Sequence, residues 1–314
     1  MNILNRFDYN YDFLGKRKVA TIVSTILMLI ALASLGLKGL SFGIDFTGGT
    51  LVEVRYSVPV ELDEVRELLH SNGFEDAVVQ NFGTTKDVLI RLGIYENMKN
   101  EEISSTILGL LKQQDSEVVM KRVEFVGPKV GGELVEKGGM AILLTLFGIL
   151  IYVTLRFEYR FALGSIAALV HDTVITVGFF SLLGLEFDLT VLAAVLAVIG
   201  YSLNDTIVVF DRIRDNFLKM RKQNSEQVVN RSINQILGRT VMTSVTTLLV
   251  LLVLFFAGGE LIHNFAIALI VGVIVGTYSS IYIASATALH LGISKADLMP
   301  VQKEGAQQQV DERP

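Results

Sequence analysis

The apolar positions of this chain fall into long unbroken runs rather than short alternating ones. Stretches without Asp, Glu, Lys or Arg cover Val19–Leu37, Gly138–Leu155, Thr240–Gly259 and Leu261–Ser294. Each can hold a membrane-spanning helix of about 20 residues. Phe161–Leu185 and Leu189–Phe210 are similar runs, each interrupted by one carboxylate, Asp172 and Asp205 respectively. The pattern predicts a polytopic α-helical membrane protein with six transmembrane helices, at 19–37, 138–155, 161–183, 189–210, 239–258 and 265–289.

Between the first two spans, over 38–137, the apolar period changes along the chain. Leu51, Val52 and Val54 suit a strand, whereas Val60, Val65, Leu68 and Leu69 share a helical face. Ala77–Val79 and Val88–Ile90 suit a hairpin around Gly83 and Thr84, Ile103, Ile107, Leu110 and Leu111 restore helical spacing, and Val118–Val126 closes the series. The order β-α-β-β-α-β predicts an α+β domain of the ferredoxin-like type. That fold by itself identifies no activity. A second polar stretch, 211–238, carries Ile213, Phe217, Met220, Val229, Ile233 and Ile236 at helical intervals among basic residues. It is expected as a cytoplasmic amphipathic linker, lying at the membrane interface or packed as helical turns on its face.

Basic residues set the orientation. Arg6, Lys16, Arg17 and Lys18 precede the first span; Arg156 and Arg160 join the second to the third; Arg212, Arg214, Lys219, Arg221, Lys222, Arg231 and Arg239 lie between the fourth and fifth. The opposite short loops, Gly184–Asp188 and Gly258–Asn264, contain neither Lys nor Arg. Short loops rich in Lys and Arg stay in the cytoplasm. Both termini, 1–18 and 290–314, are therefore expected there, with 38–137 exported. The first apolar run is a full bilayer thickness long and lacks a convincing A-x-A site, so it is expected to be an uncleaved helix rather than a signal peptide.

Composition supports this class. Of 314 residues, 51% are hydrophobic and only 19% charged, with a mean hydropathy of +0.51. The absence of cysteine excludes disulfides, thiolate nucleophiles and zinc-thiolate sites. No G-x-x-x-x-G-K-[ST] cradle, H-E-x-x-H pair or G-x-S-x-G elbow occurs. The four histidines, His70, His171, His263 and His290, are widely spaced. No enzymatic activity, metal, nucleotide or nucleic acid is expected.

Candidate chemistry therefore rests on polar residues inside the spans. Asp205 lies six residues before Asp211, at the cytoplasmic boundary, and so about 9 Å inside the membrane. An ionised carboxylate there costs several kcal/mol unless paired, which makes it a natural proton carrier. The alternative is a neutral Asp held between helices, with Asn204 and Ser202 as partners. His171 and Asp172 lie near the middle of the third span, as a second titratable pair or as a packing clasp. Adjacent positions point about 100° apart, so the two are not expected to share one partner face. Arg239 opens the fifth span. Approach of Arg239 would favour ionised Asp205 and separation would favour the protonated acid; the alternative is that Arg239 serves only as a topological anchor. Gly272 and Gly276 form a G-x-x-x-G suited to close helix packing.

Several motifs carry a family resemblance. These are Phe42–Thr50 (FGIDFTGGT), Val126–Gly131 (VGPKVG), Arg156–Phe161 (RFEYRF), Gly200–Phe217 (GYSLNDTIVVFDRIRDNF) and Ser232–Leu248 (SINQILGRTVMTSVTTL). Together they resemble the SecF family of SecD/SecF protein-export membrane proteins, within the resistance-nodulation-division superfamily. The resemblance implies a multi-pass protein of the bacterial inner membrane that pairs with SecD beside a SecY-type translocon. It implies use of the proton gradient, without a bound cofactor, to assist an unfolded preprotein on the periplasmic side. The family's essential acid falls on Asp205 and its arginine on Arg239, its His-Asp pair on His171 and Asp172, and its glycine-rich signature on Asp45, Thr47, Gly48 and Gly49. Two other functions remain open at this point: a small-molecule exporter of the same superfamily, and a scaffold for translocon subunits that transports nothing.

Overall fold

A computed structural model describes residues 10–294 apart from 96, 97 and 221. Arg6, Arg221 and the tail beyond 294 lie outside the described residues. Six helices are long and apolar enough to cross a membrane: α1 (Arg17–Leu37), α5 (Pro128–Arg156), α6 (Tyr159–Leu183), α7 (Leu189–Lys219), α8 (Ser225–Ala257), and a last span made of α9 (His263–Ser279), a π-helical turn (Ser280–Ala284) and α10 (Ser285–His290). The helices α2 (Ile44–Thr47), α3 (Leu62–Ser71) and α4 (Asn100–Gln114) lie between α1 and α5. The strands are β1 (Ser41–Phe42), β2 (Gly49–Arg55), β3 (Val78–Phe82), β4 (Thr84–Leu92), β5 (Val119–Val126) and β6 (Glu186–Phe187).

Local chemistry sets the ends of the spans. Pro128 occupies the first turn of α5, where its missing N–H costs nothing. Gly184 ends α6 in a left-handed conformation (φ 67°). Asp188 then caps α7 by accepting from the Val191 N–H at 2.8 Å. Asn224 and Gln227 form a reciprocal capping box at the start of α8.

Half of the apolar window is buried in α6 and in α7, and 44% in the last span, against 11% in α5, 17% in α8 and 22% in α1. α6, α7 and the last span therefore form the centre of the bundle. The others turn residues such as Leu143, Phe147, Leu249, Val253 and Phe256 outward. In water such a belt would be unstable; in lipid it is the expected surface.

β2, α3, β3, β4, α4 and β5 build one antiparallel sheet of order β3-β4-β2-β5. Val65 and Leu69 of α3, with Ile103, Ile107 and Leu111 of α4, bury one face of the sheet, made by Val52, Val54, Val88 and Ile90. On the other face Leu51 and Leu89 meet Ile44. That face also carries Arg91, whose partner Glu186 belongs to the turn between α6 and α7. The sheet thus sits at one end of the bundle. There β1 and β6 pair in parallel, Ser41 with Glu186 and Phe42 with Phe187, tying the α1 exit to the start of α7.

The segment 211–238, expected at the membrane interface or as packed helical turns, consists largely of the ends of two of the long helices. α7 runs on to Lys219 and α8 starts at Ser225. Ile213, Phe217, Val229, Ile233 and Ile236 share one core with Leu14, because the apolar faces of the two helices meet each other rather than lipid. Asn216 fixes their register by donating to Ser232 Oγ and Gln235 Oε1, both at 2.8 Å.

Candidate functional site

The buried stripe of α7 runs through Val195, Val198, Ile199, Ser202, Asp205, Thr206 and Val209, a spacing of three and four residues that puts a serine and an acid on the helix's inner face. α9 packs closely on this stripe. A β-carbon on Gly272 would lie 2.1 Å from Val198 Cγ2, and one on Gly276 3.1 Å from Ser202 Cβ. The G-x-x-x-G motif is therefore a packing device, and its close approach brings the end of α9 to two carboxylates.

Asp205 is held by two hydroxyls. Ser280 Oγ donates to its Oδ2 at 2.5 Å and Thr240 Oγ1 to its Oδ1 at 2.9 Å. Asp172, on α6, is almost fully buried. Its Oδ2 accepts from Ser279 Oγ at 2.6 Å and from Ser202 Oγ at 2.5 Å, and its Oδ1 lies 2.9 Å from His171 Nδ1. The His171 ring leans on Tyr278, with centroids 6.3 Å apart, and Tyr278 in turn donates to the Ala20 carbonyl of α1 at 2.8 Å. His171 Nε2 is buried without a partner among the described residues.

The observed partners differ in part from those the sequence suggests. Ser202 serves Asp172 rather than Asp205, and Asn204 is exposed, so neither holds Asp205. His171 and Asp172 bond directly, and although adjacent positions diverge by about 100°, both meet the last span, His171 at Tyr278 and Asp172 at Ser279. Arg239 is exposed on α8 and forms no ion pair with Asp205 among the described residues; its neighbour Thr240 reaches the acid instead. Three hydroxyl residues, Thr240, Ser279 and Ser280, are not singled out by the sequence pattern. The adjacent serines in an otherwise apolar final span were the available signal.

The π-helical turn begins at Ser280. Ser285 Oγ donates to the Ser280 carbonyl at 3.2 Å, stabilising a turn wider than an α-helix. Such turns shift the register of the following residues relative to those before.

The glycine-rich signature lies at the other end of α7. Asp45 Oδ2 accepts from the Leu189 N–H at 3.0 Å, adding a second acid to that helix's N-terminus. Thr47 Oγ1 donates to the Gly43 and Gly48 carbonyls. Gly49 has φ 131°, and a β-carbon there would lie 2.2 Å from the Leu92 carbonyl oxygen. Gly48 meets Gly131 of the VGPKVG motif, where a β-carbon would come within 2.9 Å of the Gly48 nitrogen. The two motifs thus form one junction.

Residues 106–294, more than half of the chain, match the family described as protein export membrane protein SecD/SecF, C-terminal, and residues 33–60 match the SecD/SecF GG motif. The chain belongs to the SecD/SecF family. Within that family it is 52% identical to the protein translocase subunit SecF of Vibrio alginolyticus over 305 residues, 96% of each chain. It is 43% identical to SecF of Escherichia coli O157:H7, covering 95% of this chain and 94% of that one. The crystal structure of SecDF from Thermus thermophilus, a translocon-associated membrane protein, superposes with a TM-score of 0.83 at 39% identity. The match covers 93% of this chain and 39% of that longer SecDF chain.

Proposed function

We propose that this chain is a non-enzymatic subunit of the bacterial protein-export machinery that works with SecD and uses the proton gradient to assist preprotein movement on the periplasmic side of a SecY-type translocon. The sheet domain is then a ferredoxin-like domain exported to the periplasm, with both chain termini cytoplasmic. The strand order β3-β4-β2-β5, with α3 and α4 on one face, supports that assignment. Full-length similarity to translocase subunits supports the process.

One observation carries the coupling: Asp205 is bonded by two hydroxyls and by no cation among the described residues. A hydroxyl donates to a carboxylate and, after rotation, accepts from a carboxylic acid. Ser280 and Thr240 can therefore satisfy either protonation state, whereas a bound arginine would favour only the charged one. Asp172 has the same kind of support from Ser202 and Ser279. Arg239, one residue before Thr240, would reach Asp205 only if α8 turned. That movement would expel the proton.

The test is preprotein export in inverted vesicles bearing Asp205→Asn, with and without a proton gradient, after assembly with SecD has been verified. Loss of the gradient-dependent part with normal assembly is expected. Unchanged stimulation would favour a scaffold that transports no proton.

A further inference from the structure

Glu186 lies in β6, between α6 and α7, with its side chain 15% exposed. Arg91 Nη1 of β4 is 3.4 Å from its Oε1, and Gln80 Nε2 of β3 donates to its Oε2, also at 3.4 Å. Behind it runs the Gly43 backbone, where a β-carbon would lie 2.9 Å from Oε1. Asn264, on α9, donates to the Glu186 carbonyl at 3.2 Å. The side chain thus touches two strands of the sheet domain and the segment after α1, while its backbone is held by α9.

The charges at this junction do not balance. Asp45 and Asp188 lie beside Glu186, each already accepting from an N–H of the first turn of α7. Among the described residues, three carboxylates face one cation there, Arg91, which also donates to the Phe42 carbonyl at 2.8 Å. Burial raises the pKa of Glu186; Asp188 and Asp45 push the same way, and Arg91 and Gln80 oppose them.

We propose that Glu186 is a proton-binding site outside the spanning core, and that a proton bound there seats the sheet domain on the bundle above α7. The sign follows from linkage. Lifting the sheet away would return Glu186 to water and to an ordinary glutamate's proton affinity, near a pKa of about 4.3. The seated form binds the proton more tightly, so seating strengthens as pH falls and weakens as pH rises through the seated form's higher value. A neutral carboxyl group still accepts from Gln80, and Arg91 keeps its bond to Phe42. The site's role in transport rests on the function proposed above, where it would give the gradient a second point of action on the proton-rich side. Its existence does not depend on export.

The chain has no cysteine, so Asn72→Cys and Leu183→Cys, both exposed positions, place two spin labels on the full chain assembled with a cysteine-free SecD variant in nanodiscs. Distances are read by electron-electron double resonance between pH 5 and pH 8. The short-distance fraction should rise as pH falls. In Glu186→Gln it should stay high and flat, and in Arg91→Gln the midpoint should move to higher pH. A Glu186→Gln profile identical to that of the parent would overturn the proposal. So would loss of the pH dependence in Asp205→Asn, because the titrating group would then be Asp205. Failure of Asp205→Asn in the export assay with an intact distance profile would separate the two proposals.

Discussion

Ser279 and Ser280 are neighbours in sequence but donate to different buried acids, Ser279 to Asp172 on α6 and Ser280 to Asp205 on α7. Consecutive helical positions diverge by about 100°, so one turn of the last span faces two helices at once. Rotation or a register shift of that turn would alter both carboxylates together. The π-helical geometry starting at Ser280 already departs from a regular α-helix at this turn.

Replacement of either serine by alanine leaves a carboxyl oxygen short of one donor, a cost of about 1–3 kcal/mol for a buried group. Both variants should unfold at lower temperature. Only Ser280→Ala should strongly reduce the gradient-dependent part of export, since it acts on Asp205, whereas Ser279→Ala leaves Asp172 with Ser202 and His171. Equal export in Ser280→Ala and the parent would remove Ser280 from the coupling.

The close approach of α9 to α7 predicts opposite effects for two glycine substitutions. Gly272→Ala places a β-carbon against the stiff Val198 side chain, and overpacking of this kind costs about 1–3 kcal/mol. Gly148→Ala, in α5, meets nothing within 4 Å and should stabilise its helix by up to about 1 kcal/mol. Thermal unfolding of the purified chain should separate the two in sign. A stabilised Gly272→Ala would mean that the helices are more loosely packed than described.

The spans were legible because lipid tolerates neither charge nor an unpaired backbone, so each must appear as a long apolar run. The sheet domain was legible because one face of each element is buried, which prints a period of two or of about 3.6 residues on the sequence. Asp205, Asp172 and His171 stood out as polar residues in apolar runs. Their partners did not, because Ser and Thr are common in spanning helices and local sequence cannot say which helix a hydroxyl faces. Which of the two arrangements open for 211–238 the helices α7 and α8 take is hidden for a related reason. Ile213 and Phe217 look the same in sequence whether they meet lipid or Val229 and Ile233. The role of Asp45 depends on the Leu189 N–H, 144 residues away, a pairing that no local pattern encodes.

The stretch before α1 is clasped by two asparagines of α8. Asn234 exchanges two bonds with the Tyr11 backbone, at 2.8 and 2.9 Å, and Asn230 Oδ1 accepts from the Phe13 and Leu14 N–H groups. Asn234→Leu keeps the branched shape but removes the donor and the acceptor. Limited proteolysis should then cut near residues 10–16 several-fold faster than in the parent, with little change in the spans. Equal cleavage rates would show that Leu14, buried in the neighbouring core, is a sufficient anchor by itself.

The sheet domain should lose stability in acid, and its two principal carboxylates set the sign. Asp87 has a lowered pKa, mainly through its bonds to Arg55 at 2.5 and 2.9 Å, which outweigh its burial, with a further bond from Thr84. Asp115 is also lowered, first by the Ser57 hydroxyl and then by the Ser57 and Glu117 N–H groups. A carboxyl group with a lowered folded-state value contributes its full stabilisation above its unfolded value, about 3.9, and loses it as pH falls through the folded value. Strands β2 and β4 should therefore exchange amide hydrogens faster, relative to intrinsic rates, below about pH 4. Asp87→Asn should weaken β4 at neutral pH while flattening part of this acid response, because the replaced group no longer titrates. An Asp87→Asn profile parallel to that of the parent through the acid range would assign the response to other carboxylates, Asp115 first among them.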